Sequence, residues 1–169
     1  QRILENHALE IGLPNQFRVL STTDAWLLLK RRFSELPLDH YRPLGNPVKF
    51  LRSLLQHISR AKDEGITPEQ YLQYAQAVRL DVDEEAANAE RKRLHELADV
   101  YVAYRKILLE EGCLDFGDLI LETLRLFRER PMILELYRQQ FSYVMVDEFQ
   151  DTNWAQYELL KLLVGTKRN

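Results

Sequence analysis

The sequence is poor in residues that cross-link or interrupt a chain. It has one cysteine, Cys113, and only six glycines and six prolines in 169 residues. One cysteine excludes an internal disulfide framework and is typical of a reducing compartment, so we expect a cytoplasmic protein. The apolar runs are far too short to cross a bilayer, and the amino terminus shows no signal pattern. We therefore expect no membrane partner.

With so few glycines and prolines, helical periodicity dominates the chain. Capping signals at Ser21, Asn46-Pro47, Thr67-Pro68 and Asp115 mark helix starts. A short extended piece is predicted at residues 17–20. The predicted helices cover residues 1–11, 25–33, 47–63, 67–80, 83–111, 115–129, 132–140 and 154–164.

One segment departs from the helical pattern. Residues 141–146 are mostly apolar, and the acidic Asp147 and Glu148 follow them directly. This length and composition predict a strand buried on both faces, as in a parallel sheet that helices cover. Because a lone strand cannot form a sheet, we expect its partner strands to lie outside these 169 residues.

The acids after this segment suggest a binding site. In open α/β sheets, ligands bind beyond the carboxyl ends of the strands. Consecutive residues point in different directions, so Asp147 and Glu148 can do separate jobs. One can hold a hydrated Mg²⁺, and the other can orient or deprotonate a water. In a second interpretation, Asp151, Thr152 or Asn153 caps the next helix and the acid pair is a solvated turn.

The net charge of −3 hides an uneven distribution. Residues 30–62 contain eight basic and two acidic residues, whereas residues 63–90 contain eight acidic residues and one basic residue. A phosphate backbone responds to a local basic face more than to the sum, although solvated helix faces fit the pattern equally well. The predicted DNA-binding residues are Lys30, Arg31, Arg32, Lys49, Arg52, Arg60 and Lys62.

Two motifs resemble a known family. Residues 144–153, Val-Met-Val-Asp-Glu-Phe-Gln-Asp-Thr-Asn, closely resemble the Walker B motif of the UvrD/Rep-like superfamily 1 DNA helicases. Residues 114–119, Leu-Asp-Phe-Gly-Asp-Leu, resemble the family's Asp-Phe-Asp-Asp-Leu segment, with Gly117 in place of an acid. Weaker similarity at residues 12–19 and 58–68 points to the family's helical accessory subdomain.

This resemblance implies an ATP-dependent DNA helicase or translocase. The whole enzyme would couple hydrolysis of Mg-ATP to movement on single-stranded DNA and to duplex unwinding. Asp147 would hold Mg²⁺ and Glu148 would position the hydrolytic water, while Gln150 and Asp151 would couple the nucleotide state to neighbouring motifs. The implied cofactors are Mg²⁺ and ATP, and the implied partners are DNA and the remainder of the helicase chain.

The resemblance also implies an organisation in two parts. Residues 1–113 would be the helical accessory subdomain, and residues 114–169 would be part of a RecA-like α/β (P-loop NTPase) domain that contributes one buried strand. The expected fold is therefore mainly α. The P-loop pattern Gly-x-x-x-x-Gly-Lys-Ser/Thr occurs nowhere in the sequence. We therefore expect an internal piece of a helicase that is inactive alone.

Three alternatives stay open. The helicase half of a helicase–nuclease shares the acidic motif. A non-enzymatic helical module could bind DNA or protein through residues 30–62. A metal-dependent phosphodiesterase would need its acids to converge within about 4 Å of two shared metals. Its candidate acids are Asp115, Asp118, Asp147, Glu148 and Asp151, of which the first two also fit a reciprocal helix cap.

Overall fold

A computed structural model describes residues 1–79 and 83–165, and these residues are mainly helical. The α-helices are α1 (Arg2–His7), α2 (Thr22–Arg31), α3 (Leu51–Asp63), α4 (Pro68–Ala77), α5 (Glu84–Glu110), α6 (Phe116–Glu129), α7 (Pro131–Gln140) and α8 (Trp154–Val164). Short 3₁₀ turns lie at Ala8–Ile11, Phe33–Glu35 and Phe149–Asp151. The expectation of a mainly α chain is confirmed. No helix in the described ranges is both long and apolar enough to span a bilayer.

Side-chain caps begin most of these helices. In a capping box, the side chain of the cap residue accepts a hydrogen bond from the backbone N–H three residues on. The side chain of that later residue accepts a hydrogen bond from the backbone N–H of the cap residue. The boxes are Ser21 with Asp24 (α2), Thr67 with Gln70 (α4), Asp115 with Asp118 (α6) and Asn153 with Gln156 (α8). The starts predicted at Ser21, Thr67 and Asp115 are therefore confirmed.

Helix α3 begins later than predicted. The N–H of Lys49 donates to the Asn46 carbonyl at 3.0 Å, and the N–H of Leu51 donates to the Val48 carbonyl at 3.1 Å. These three-residue hydrogen bonds make turns, so the helix starts at Leu51 and the predicted start at Pro47 is wrong. Helix α4 ends at Ala77, and the predicted limit at residue 80 lies outside the described residues.

A small parallel sheet joins distant parts of the chain. Its strands are β1 (Arg18–Leu20) and β2 (Cys113–Asp115), with Arg18 opposite Cys113 and Leu20 opposite Asp115. The extended piece predicted at residues 17–20 is confirmed. Strand β2, which the sequence did not predict, leads the chain from α5 directly into α6.

Residues 141–146 do not form the predicted buried strand. They have no regular secondary structure, and Tyr143 and Met145 are 81% and 95% exposed. A strand is stabilised by the hydrogen bonds of a neighbouring strand and by cover on its faces. Within the described residues, the sheet consists of β1 and β2 alone, so this apolar segment has no ladder to join. The prediction of a buried strand is wrong for this chain.

Buried apolar side chains form two main cores, and a small third cluster joins α6 to α8. The larger core contains residues of α2, α3, α4 and α5, with Leu29, Leu51 and Tyr104 almost fully buried. The second core joins residues 4–13 to α6 and α7 through side chains such as Phe127. The amino-terminal residues thus pack on helices beyond position 113, and the division at residues 113 and 114 stays a prediction.

Candidate functional site

The acidic motif lies in an exposed loop between α7 and α8. We call residues 143–152 the acidic loop. Within it, Glu148 has a left-handed backbone conformation (φ 50°, ψ 44°), which is uncommon outside glycine, and a 3₁₀ turn follows at Phe149–Asp151. This turn lies between the apolar segment and the cap of α8. The acids therefore project from a tight bend.

Local hydrogen bonds orient the two adjacent carboxylates. The Asp147 Oδ1 atom accepts a hydrogen bond from the backbone N–H of Glu148 at 3.0 Å. The Gln150 side-chain amide donates to Glu148 Oε2. A donor placed on a carboxylate fixes the direction of that side chain. Gln150, predicted as a coupling residue, thus contacts the residue predicted to position the water.

The acidic loop borders an open concavity of about 390 Å³. Its walls come from the loop and from the first turns of α8, including Asp147, Glu148, Asp151 and Gln156. Carboxylate oxygens suit Mg²⁺, which commonly takes one or two protein carboxylates together with waters and substrate phosphates. In the part of the chain that the structure describes, no group of three or more acidic, histidine or cysteine side chains could hold a metal. Asp147, Glu148 and Asp151 offer carboxylate oxygens of the kind that a hydrated Mg²⁺ takes.

The other predicted acids lie in the interior. Lys62 is only 2% exposed, and its Nζ atom lies 2.6 Å from Asp115 Oδ2 and 2.7 Å from Asp118 Oδ1. The Tyr104 hydroxyl donates to the same Asp115 oxygen at 2.9 Å. Asp115 and Asp118 thus form an ion-paired helix cap and do not converge with Asp147. The phosphodiesterase alternative loses its metal-binding set.

Burial and charge shift the pKa values of this interior group. Burial raises the pKa of Asp118, and the neighbouring Asp115 charge adds to that rise. Burial alone would raise the pKa of Asp115 too, but the charge and hydrogen bond of Lys62, together with hydrogen bonds from the Asp118 N–H and the Tyr104 hydroxyl, hold this pKa below its ordinary value. Burial raises the pKa of the Tyr104 hydroxyl. Lys62 thus makes the largest contribution to keeping the Asp115 carboxylate ionised.

Burial of Lys62 corrects the prediction that it contacts DNA. Its stem lies against Gly117, where an added Cβ would stand 2.7 Å from the lysine Cδ atom. The glycine at this position of the motif therefore leaves room for the lysine. A lysine that is enclosed by Gly117 and paired with Asp115 and Asp118 cannot reach a phosphate backbone.

The predicted basic residues on α2 are partly neutralised. Arg32 forms ion pairs with three carboxylates, from Glu35, Glu110 and Glu111. Arg31 lies 3.1 Å from a Glu111 oxygen. Arg32 is therefore engaged in holding α2 against the end of α5.

Three of the predicted basic residues lie on α3 or just before it. Lys49, Arg52 and Arg60 are exposed, and none forms an ion pair within the described ranges. We call these three residues the α3 basic surface. Lys30, on α2, is also exposed and lies over the Trp26 ring at 5.1 Å.

Comparison with known sequences decides the family. The sequence model of the UvrD/REP helicase N-terminal domain matches residues 1–169, which is the whole chain. The chain belongs to the UvrD/Rep helicase family. The similarity that the acidic loop and residues 114–119 suggested is therefore confirmed.

Similar proteins in the UvrD/Rep family are named as DNA helicases. The ATP-dependent DNA helicase PcrA of Bacillus subtilis (strain 168) is 38% identical over 169 residues, which cover 99% of this chain and 20% of that protein. DNA helicase II of Haemophilus influenzae is 34% identical over 164 residues, covering 97% of this chain and 20% of that protein. DNA helicase II of Escherichia coli K12 is 32% identical, with the same coverage. The chain thus spans about a fifth of the length of these curated relatives.

The sequence interpretation missed one contact beside the acidic loop of this UvrD/Rep chain. The Asn153 side-chain amide donates to Asp63 Oδ1 at 2.6 Å and so joins α8 to the end of α3. Burial raises the pKa of Asp63, and the bond from Asn153 opposes that rise. The only sequence signal was that Asn153 could cap a helix, which says nothing about a partner 90 positions away.

Proposed function

We propose that this chain is part of an ATP-dependent DNA helicase. In that enzyme the acidic loop would serve ATP hydrolysis, and movement on single-stranded DNA would depend on it. The observation that carries the proposal is the placement of Asp147 and Glu148 on an open concavity, within a chain that belongs to the UvrD/Rep family over its full length. The similar proteins are named as DNA helicases, which supports the same proposal.

Asp147 and Glu148 would have different roles in hydrolysis. Asp147 would hold Mg²⁺, which, when bound, neutralises charge on the nucleotide phosphates. Glu148 would orient the attacking water and accept its proton. The Gln150 amide on Glu148 Oε2 would keep that carboxylate in one direction. Because Gln150 touches Glu148 directly, a shift of Gln150 would also change the water-positioning group.

We predict that the 169-residue chain alone does not turn over ATP. The P-loop lysine and backbone amides that hold nucleotide phosphates have no counterpart in its sequence. Purified chain should show no ATPase activity above background, with or without DNA, and no tight ATP binding by calorimetry. Turnover that Glu148→Gln abolishes would contradict the prediction, because a nucleotide site would then exist without a P-loop.

A second function, binding of DNA by the chain itself, is favoured by the α3 basic surface. Reversing Lys49, Arg52 and Arg60 to Glu should weaken binding of unrelated duplex sequences alike. Each phosphate contact contributes about −0.9 to the slope of log K against log salt, so the slope should also flatten. Fluorescence titration of a labelled duplex at two salt concentrations measures both effects.

The matched control for this test reverses three exposed lysines elsewhere. Lys92, Lys106 and Lys161 are all exposed and lie outside the α3 basic surface. Their reversal to Glu gives the same change in net charge. If both triple variants lose affinity equally, net charge alone drives binding. If neither does, the α3 basic surface is a solvated face.

A further inference from the structure

The carboxyl-terminal turn of α3 makes contacts in two directions. Lys62 points inward, where its ion pairs with Asp115 and Asp118 fix the helix end against α6. The next residue, Asp63, points toward α8 and accepts the hydrogen bond from Asn153 at 2.6 Å. The end of α3 is thus held by the interior on one side and contacts the start of α8 on the other.

A second contact lies beside the first. Gly65 follows the end of α3 with a left-handed backbone (φ 75°), and its N–H donates to the Lys62 carbonyl at 2.9 Å. A Cβ atom at Gly65 would stand 3.6 Å from Cδ1 of Trp154, so the indole lies against this turn. Asn153 and Trp154 together seat the start of α8 on the end of α3.

The acidic loop itself has little other support. Its hydrogen bonds to described residues stay within the loop, namely those of Glu148, Gln150, Asp151 and Thr152. Apart from these bonds, the Phe149 ring meets the Tyr157 ring edge-on at 6.5 Å. Asn153 follows the loop directly. The position of Asn153 therefore sets where the loop ends.

Helix α3 also connects this contact to the α3 basic surface. Arg60 stands one turn before Asp63, and Arg52 stands three turns before it, on the same 13-residue helix. A helix of this length is a rigid rod of about 20 Å, so a displacement at one end is carried to the other. Rigid elements of this kind can transmit coupling between two sites.

We propose that Asp63 is a positioning residue, which acts through Asn153 to hold the acidic loop in the arrangement for hydrolysis when DNA occupies the α3 basic surface. This inference rests on the proposed helicase function. It assigns the communication between DNA and the acidic loop to one hydrogen bond between α3 and α8. A coupling between two sites typically changes a binding equilibrium by about 5–150-fold.

The test uses the full-length helicase that contains this chain and measures ATP turnover with and without a DNA duplex that carries a single-stranded tail. Asn153→Asp keeps an oxygen that accepts from the Gln156 N–H, so the cap of α8 survives. It also replaces the amide donor with a carboxylate that faces Asp63. We expect DNA-stimulated turnover to fall about 10-fold, with basal turnover and the KM for ATP unchanged within about 2-fold.

The exchange of both side chains provides the rescue. Asp63→Asn alone keeps an oxygen that accepts from Asn153, so its DNA-stimulated turnover should stay near that of the unaltered enzyme. In Asp63→Asn/Asn153→Asp the amide and the carboxylate change places and can bond again. DNA stimulation should then return to within about 2-fold of the unaltered enzyme. Asn153→Ser keeps the cap and adds no charge, but its hydroxyl lies one bond nearer the backbone than the amide nitrogen that reaches Asp63, so it should follow Asn153→Asp.

Each outcome is decisive. If the double exchange is no better than Asn153→Asp, or if basal and stimulated turnover fall by the same factor, the contact only supports the fold and the proposal is overturned. Unchanged stimulation in both Asn153 variants overturns it as well. Circular dichroism and melting curves show whether each variant is folded. An unaltered enzyme without any DNA-stimulated ATPase would instead refute the proposed function itself.

Discussion

Replacing Glu148 by glutamine in the full-length helicase should lower the rate of ATP hydrolysis by about 10²–10⁴-fold. The amide keeps the size and polarity of the side chain but cannot accept the proton of the attacking water. ATP should still bind, because the Asp147 carboxylate, which would hold Mg²⁺, is unchanged. Steady-state turnover with single-stranded DNA, together with calorimetric binding of ATP, separates the two effects.

The control for Glu148→Gln is Glu84→Gln. Glu84 lies exposed in the first turn of α5, so its substitution removes the same charge away from the acidic loop. It should leave turnover unaffected. Near-normal hydrolysis in Glu148→Gln would show that another residue positions the water. A loss of ATP binding would show that Glu148 contributes to binding of the nucleotide.

Replacing Lys62 by methionine should destabilise the 169-residue chain by about 3–5 kcal/mol. Methionine can fill the space above Gly117, but it takes the cation away from Asp115 and leaves the buried Asp118 beside Arg105, which is 3.8 Å away. Domains of ordinary stability unfold at a cost of about 5–15 kcal/mol, so the loss would be a large fraction of the total. Urea unfolding followed by circular dichroism measures it.

The dependence of this loss on pH identifies its cause. Without Lys62, burial raises the pKa of both aspartates, so their charged forms are unfavourable in the folded state. Protonation removes that penalty, and the deficit should shrink as the pH falls toward about 4, the ordinary range of aspartate. Lys49→Met, at an exposed position beside the same helix, should change the stability by less than about 0.5 kcal/mol. A deficit independent of pH would point to packing instead.

Local signals in the sequence predicted much of the helical framework. The starts of α2, α4 and α6 followed from Ser21, Thr67 and Asp115, because a capping box involves only residues three positions apart. At Asn46 the same kind of signal failed, since turns with three-residue hydrogen bonds compete with the helix there. A cap pattern thus marks a possible start, and the neighbouring turn decides whether it is used.

The acidic loop illustrates a different limit. The residues of the motif identified the family, but the apolar segment before them was expected to be a buried strand. Whether such a segment forms a strand depends on a neighbour that supplies backbone hydrogen bonds. The composition of the segment indicates only which kind of neighbour would cover it. In the described chain, Tyr143 and Met145 are exposed.

The sequence by itself determined the family, the mainly helical fold and the acids on which the proposed chemistry depends. These rest on residue identity and on local spacing. Only the tertiary structure decided that Lys62 is an interior cation for Asp115 and Asp118, and that Asn153 bonds Asp63 across 90 positions. The sequence alone does not show whether a lysine faces solvent or a buried carboxylate. Its role depends on which helices pack around it, and that is set by contacts between distant parts of the chain.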